Sequence, residues 1–159
     1  MNSSAQRRTA ISPILVPLRI LVVDDSVPFG DLAVALLGRE PLVEVAGVAR
    51  NGGEALEAIA SLKPDLVLMD VQMKPMGGLT AATLISWVFP GTRVVMMSSD
   101  DSPRLRAECA SAGAAAFIHK TEFIRNFMVA VGPIASNVGR ERKCPLRDSR
   151  AQATASRSR

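Results

Sequence analysis

The chain has 159 residues, enough for one domain with tails, and 48 % of them are apolar, so a full core can be buried. Aromatic residues make up only 4 %, with no Tyr, which requires an aliphatic, Ala-rich core. The net charge is +4, but residues 139–159 carry +5 and Arg7 and Arg8 add +2, leaving −3 for the centre; a mildly acidic domain with basic ends excludes a basic DNA-binding domain.

Residues 1–17 are polar and then Pro-punctuated, and read as a loose N-terminal arm. Their apolar run, 11–18, is too short and too Pro-interrupted for a signal peptide. Residues 18–23 are a continuous apolar run, the pattern of a buried strand. Ser26 is placed to cap a helix with Phe29, Leu32, Ala33, Leu36 and Leu37 on one face, stopped by Gly38 and Pro41. Residues 43–48 read as a second strand. Asn51, with Glu54 three residues on, starts a helix carrying Leu56, Ile59 and Ala60, and Lys63-Pro64 stops it. Residues 66–69 form a third strand ending at Asp70. A loop with Pro75, Gly77 and Gly78 leads to a helix carrying Leu79, Ala82, Thr83, Ser86 and Phe89. Residues 93–97 give a fourth strand ending at Ser98, and Pro103 suits the first turn of the next helix. That helix has few and small apolar positions (Leu105, Cys109, Ala112), which predicts a mobile element. Residues 115–119 form a fifth strand ending at Lys120, and Thr121 is placed to cap a last helix that Gly132-Pro133 should kink or end. Phe123, Ile124, Phe127, Met128, Val131 and Ile134 exceed one narrow stripe there, which fits equally a protein-binding or dimer face on part of the helix and a helix packed deeply all round. Residues 139–159 read as a disordered basic tail. No apolar stretch is long enough to span a bilayer, and Cys109 and Cys144 fit no metal spacing, so a reducing, cytoplasmic setting is expected.

Five βα repeats with short connections imply a parallel sheet covered on both faces, with ligands at the carboxyl ends of its strands. Asp24, Asp25, Asp70, Ser98 and Lys120 all end strands, so they converge there, between the first and third strands. Three carboxylates repel one another unless a cation joins them, and Mg²⁺ favours a few carboxylates plus water. Asp70 suits a nucleophile towards phosphorus, Ser98 a donor to a phosphoryl oxygen, and Lys120 a point charge beside one. Taken singly, each has a plainer reading: an acid opening a helix, a loop hydroxyl, a solvated lysine. Their joint placement favours the phosphoryl site. His119, the only histidine, alternates with Lys120 and should share the opposite face with Phe117, as a structural residue.

Four segments, Ile20-Leu-Val-Val-Asp-Asp25, Asp65-Leu-Val-Leu-Met-Asp-Val-Gln-Met73, Val94-Val-Met-Met-Ser-Ser99 and Gly113-Ala-Ala-Ala-Phe-Ile-His-Lys120, resemble the receiver domains of two-component response regulators, over residues 18–138. The stretch from Glu44 to Leu56 looks most like the NarL/LuxR-type subfamily, which usually adds a C-terminal helix-turn-helix. The resemblance implies a flavodoxin-like (βα)5 doubly wound parallel sheet, order 2-1-3-4-5. It implies that Asp70 accepts a phosphoryl group from a histidine kinase or phosphotransfer protein. Mg²⁺ would be held by Asp24, Asp25, Asp70 and the Gln72 carbonyl. Ser98, Phe117 and Lys120 would form the switch, and Gln72 and Asp100 would set the phosphoryl lifetime.

The departures are Lys74, where Pro is usual, Pro75 one place later, Gly77 where an acid or Asn is common, Ser99 for Ala, and Thr121 for Pro after the lysine. With Thr121 there, no cis peptide is expected at Lys120–Thr121. The expected function is a stand-alone receiver relaying its state to an effector protein, as a possible homodimer through the last helix, without specific DNA binding or membrane contact. The alternatives are a phosphorylation-independent binding module and a truncated regulator that has lost its helix-turn-helix. A metabolic enzyme is disfavoured by the absence of a Gly-rich nucleotide motif or an evident Cys/His pair; the chain should catalyse only its own phosphorylation and dephosphorylation.

Overall fold

A computed structural model of the chain describes residues 16–123 and, beyond them, 125, 127, 129, 131 and 132. The strands β1 (Leu18–Val23), β2 (Val43–Ala49), β3 (Leu66–Asp70), β4 (Arg93–Ser98) and β5 (Ala116–His119) pair in parallel in the order β2-β1-β3-β4-β5. The helices α1 (Val27–Leu37), α2 (Gly52–Leu62), α3 (Gly78–Val88) and α4 (Pro103–Ser111) connect them, and α5 is helical at every described position from 120 to 132. This is the flavodoxin-like, doubly wound sheet expected from the sequence. The expected arm, apart from residues 16 and 17, and the basic tail lie outside the described residues, as do Ile124, Met128 and Ile134.

Side chains alternate across each strand, so two cores form. Ile20, Val22, Leu66, Leu68, Val95, Met97 and Ile118 face α1 and α5, where Ala33, Leu37, Phe123, Phe127 and Val131 complete the layer. Leu21, Val23, Val67, Met69, Val94 and Met96 face α2, α3 and α4. Phe123 is nearly fully buried and packs between Phe29, tilted at 5.9 Å between ring centroids, and Phe127, edge-on at 5.2 Å. Burying three of the few aromatics together anchors α5 to α1. On the outer side of α5, Arg125 and Val129 are exposed.

The caps follow the sequence. Ser26 accepts from Phe29 N–H, and Asn51 accepts from Glu54 N–H (3.0 Å) while the Glu54 carboxylate reaches back to Arg50 N–H (2.7 Å). Lys63 closes α2 in the left-handed region at φ 49°. Four details differ from the sequence reading. In α2, Ala60 is exposed, and Gly52, Ala55 and Ile59 are the buried face. The last helix begins directly at 120, so Thr121 lies inside it, and His119 takes the capping role by accepting from Thr121 N–H through Nδ1 (3.3 Å). In α1, Leu32 turns outward, and Gly30, Ala33 and Leu37 are the buried face. In α3 the buried face is Gly78, Ala81, Ala82 and Ile85, with Thr83 exposed. That helix is apolar almost all round, so periodicity could not set its phase. Among the described residues the one cis peptide is Lys74–Pro75, and Gly77 sits at the α3 N-cap with no side chain to cap it.

What sets the phase of α3 is Gly78. Its N–H donates to the Val71 carbonyl (3.0 Å), and a Cβ there would run into the backbone carbonyl of Asp70 and into Met96 Cε. Gly78→Ala is therefore expected to lose about 2–3 kcal/mol, the upper range for overpacking, measured by urea denaturation.

Candidate functional site

The order reverses at β1, which pairs with β2 on one side and β3 on the other, and the carboxyl ends of β1 and β3 form the resulting crevice. Asp24 continues the Ile20–Val22 side of β1, and Asp70 continues the Leu66–Leu68 side of β3. Both carboxylates thus fall towards α1 and α5, where Lys120 opens α5. Lys120 Nζ lies 2.7 Å from Asp24 Oδ2 and 3.2 Å from Asp70 Oδ1. The same ammonium sits 4.4 Å from the centre of the Phe29 ring, a cation–π contact that fixes it from the α1 side.

Asp24 is fully buried, Asp70 and Ser98 nearly so, while Asp25 is exposed at the mouth. Asp24 Oδ1 accepts from Ser26 N–H (2.8 Å). Asp24 Oδ2 meets only the Lys120 ammonium among the described residues, at 2.7 Å. Burial pushes the Asp70 carboxyl above its ordinary value; the Lys120 charge pulls it back down, and Asp24 pushes it up again. Burial would lower the Lys120 pKa, but contact with Asp24 and the charge of Asp70 outweigh it, and the ammonium is held more firmly than usual.

Asp24, Asp25 and Asp70 bring one carboxylate oxygen each within 4.8 Å of one another. One ammonium against three carboxylates leaves the crevice short of positive charge. An all-oxygen donor set with a charge deficit suits a hard divalent cation. Gln72 follows two residues after Asp70, with its side chain exposed at the mouth.

Ser98, Phe117 and Asp100 are grouped separately. Ser98 lies one residue beyond Met97, the β4 partner of Asp70, but it continues the Val94–Met96 side that faces α3 and α4. Among the described residues its Oγ engages Asp100 N–H (3.0 Å) rather than a carboxylate of the crevice. Phe117 is half-buried with the Arg106 guanidinium 4.6 Å from its ring centre. His119 shares that face, as the alternation predicts, and its Nε2 meets the Ser99 carbonyl (3.0 Å). Sequence reasoning placed Phe29 only in a helix stripe and missed Arg50 and Arg106. Arg50 reaches across to the Asp24 carbonyl (3.3 Å) and fills the space left by Gly30, a glycine inside a helix that could have signalled a close neighbour.

A five-stranded parallel sheet carrying three acids and a lysine at its switch point defines a receiver-type α/β domain. Residues 20–131 match the model of the response regulator receiver domain, and the chain belongs to that family. It is 36 % identical over 150 residues to protein-glutamate methylesterase/protein-glutamine glutaminase 2 of Photobacterium profundum, covering 88 % of this chain and 38 % of that protein. It is 46 % identical over 83 residues to a protein of the same description from Moorella thermoacetica, covering 52 % of this chain and 19 % of that one. The chain therefore spans well under half the length of these relatives. Among solved structures it resembles the receiver domain of NarL from Mycobacterium tuberculosis, with 31 % identity and a TM-score of 0.72 over 76 % of this chain and 98 % of that one. It also resembles the response regulator domain of Thermotoga maritima CheB, with 32 % identity and a TM-score of 0.64 over 79 % and 95 %. Among the described residues no helix is long and apolar enough to cross a membrane.

Two predictions follow from the charge balance. Lys120→Met leaves two buried carboxylates without their cation. It should cost about 3 kcal/mol, the lower end for breaking a buried pair because Lys120 is not fully enclosed. Millimolar Mg²⁺ should return part of the loss in thermal melts. Asp70 is favoured in its protonated form by the fold. Its stability contribution is therefore complete below its ordinary value of 3.8 and lost as pH rises through its raised value. In chelator at pH 7, Asp70→Asn should melt on the order of 2–4 °C above wild type. That gap should close as the pH falls towards 4, as followed by calorimetry across pH.

Proposed function

We propose that this chain is a phosphorylation-switched receiver, with a domain spanning residues 18–138 between the N-terminal arm and the basic tail, and with Asp70 as its phosphoryl acceptor. The observation that carries the reading is Lys120 Nζ held between Asp24 and Asp70 at the sheet's switch point. In the reaction, an Asp70 carboxylate oxygen attacks the phosphorus of a partner kinase's phosphohistidine. The O–P bond forms as the N–P bond breaks, and the ring, already protonated on its other nitrogen, leaves as neutral imidazole. Lys120 favours the ionised nucleophile and then pairs with an oxygen of the transferred group. Asp24, Asp25 and Asp70 with the Gln72 carbonyl would hold Mg²⁺, which when bound supplies neutralising charge at the phosphoryl oxygens. Water then cleaves the acyl phosphate, regenerating the Asp70 carboxylate and releasing inorganic phosphate, and Gln72 and Asp100 flank that approach and tune the lifetime. The chain in this reading catalyses only its own phosphorylation and dephosphorylation.

Phosphorylation adds about −1.5 to −2 charge and new acceptor oxygens. Ser98 would leave Asp100 N–H for one of those oxygens, and Phe117 would respond as the switch aromatic. The output is a protein–protein contact made in the cytoplasm, with the outer side of α5, where Val129 is exposed, as a face for an effector or a second copy. The methylesterase relatives motivate an enzyme as that effector. A phosphorylation-independent module is the second reading, favoured by the uncapped α3 start at Gly77 in a loop altered at Lys74.

Intact mass after incubation with acetyl phosphate and Mg²⁺ tests the proposal. Wild type should gain a single phosphoryl adduct that chelation abolishes, and Asp70→Asn should gain none. No adduct on wild type, with no Mg²⁺ binding, would select the phosphorylation-independent module.

A further inference from the structure

The loop between β4 and α4 is tied to β5 at two places. Phe117 and His119, two residues apart on β5, project to the same side. His119 Nε2 bonds to the Ser99 carbonyl at 3.0 Å. Phe117 lies under the Arg106 guanidinium, which also forms an ion pair with Asp101 of the same loop. Inside the loop a chain of hydrogen bonds runs from the sheet edge to the helix. Asp100 N–H donates to Ser98 Oγ (3.0 Å), Ser102 N–H donates to Asp100 Oδ1 (2.9 Å), and Ser102 Oγ caps α4 by accepting from Leu105 N–H (3.3 Å). Only Leu105, Cys109 and Ala112 bury α4 against the core. The polar ties are therefore a large share of what fixes its first turn.

We propose that Arg106 is a positioning residue that clamps Phe117 to Asp101, so that the loop following Ser98 and the aromatic of β5 are held together until that contact opens. The geometry of the clamp stands on its own, while its consequence rests on the reading of Asp70 as phosphoryl acceptor. With the clamp closed, Ser98 stays on Asp100 N–H and Phe117 stays half-buried. For Ser98 to turn towards Asp70, Asp100 must lose its bond, the loop must shift, and Asp101 must draw Arg106 off the ring. The clamp thus opposes the switch. A planar guanidinium suits both contacts at once, stacking on the ring by its face and meeting the carboxylate with its edge.

Incorporation of fluorophenylalanine into the full chain gives five ¹⁹F resonances, one for each Phe, and Phe117→Leu identifies the one of interest. Without any phosphodonor, Arg106→Gln and Asp101→Asn should each move or broaden the Phe117 resonance while the other four stay in place. Arg106→Lys, which keeps the charge and loses the planar fork, should give an intermediate spectrum. High salt should move the wild-type resonance in the direction of Arg106→Gln, since a Debye length of about 3 Å at 1 M screens the exposed ion pair. With acetyl phosphate, Arg106→Gln should accumulate the Asp70 adduct about two- to fivefold faster, the factor that an exposed cation–π contact carries. A Phe117 resonance unmoved in both variants, or moved only along with all the others, would overturn the clamp. Unchanged or slower adduct formation in Arg106→Gln would overturn its opposition to the switch. If wild type itself takes no adduct, the receiver reading fails, and the donor-free spectra still decide the clamp.

Discussion

Two nearly enclosed carboxylates facing a single ammonium are the constraint around which the molecule is organised. Asp24 and Asp70 come from different strands, and each would be costly to bury alone. Lys120 makes the burial tolerable without making it neutral, because one ammonium faces two carboxylates, and the third acid, Asp25, at the mouth deepens the deficit. A fold optimised only for stability would place apolar groups here, since a well-packed apolar cluster commonly matches or exceeds a buried ion pair. In an under-neutralised acidic crevice at the sheet's switch point, added positive charge would be stabilising.

The scaffold fixes that crevice by simple geometry. Alternation along β1 and β3 sends Asp24 and Asp70 to the same side, and the start of α5 directly after His119 delivers Lys120 to them. The Phe29–Phe123–Phe127 cluster holds α1 and α5 together, and its first ring also supports the ammonium. Packing energy and site geometry are thus carried by the same side chains. On the other side of the sheet, Gly78 lets α3 descend onto the backbone of Asp70, so the end of β3 is closed in from both faces.

Much of this was legible in the sequence because it depends on short-range rules. Continuous apolar runs marked the buried strands, Ser26 and Asn51 marked helix starts, and strand-terminal acids marked the acidic crevice that forms the candidate site. The phase of α3 was not legible, since a helix apolar on nearly every side carries no periodic signal, and a backbone contact at Gly78 decided it. The cap of α5 was misplaced for a related reason: Thr121 is the commoner capping residue, but the strand runs into the helix without a loop, and the His119 ring reaches the free N–H instead. Arg50 and Arg106 were invisible because their partners, Asp24 and Phe117, lie on other elements and are joined to them only by tertiary structure.

The division of the candidate residues between the two faces of the sheet bears on how a signal would travel. The charged group, Asp24, Asp70 and Lys120, lies towards α1 and α5. Ser98, Phe117 and His119 belong to the side of α3 and α4, and Ser98 is occupied with Asp100 rather than with the acids. A group bound at Asp70 with acceptor oxygens on both sides would be shared by Lys120 and Ser98, joining halves that are separate without it. The energy for such a change would come from differential contacts in the two states. The loop from Ser98 to Ser102 is the element whose hydrogen bonds would be exchanged. Because that loop also caps α4, a change of partner at Ser98 would reach the surface of the molecule without any rearrangement of the sheet itself.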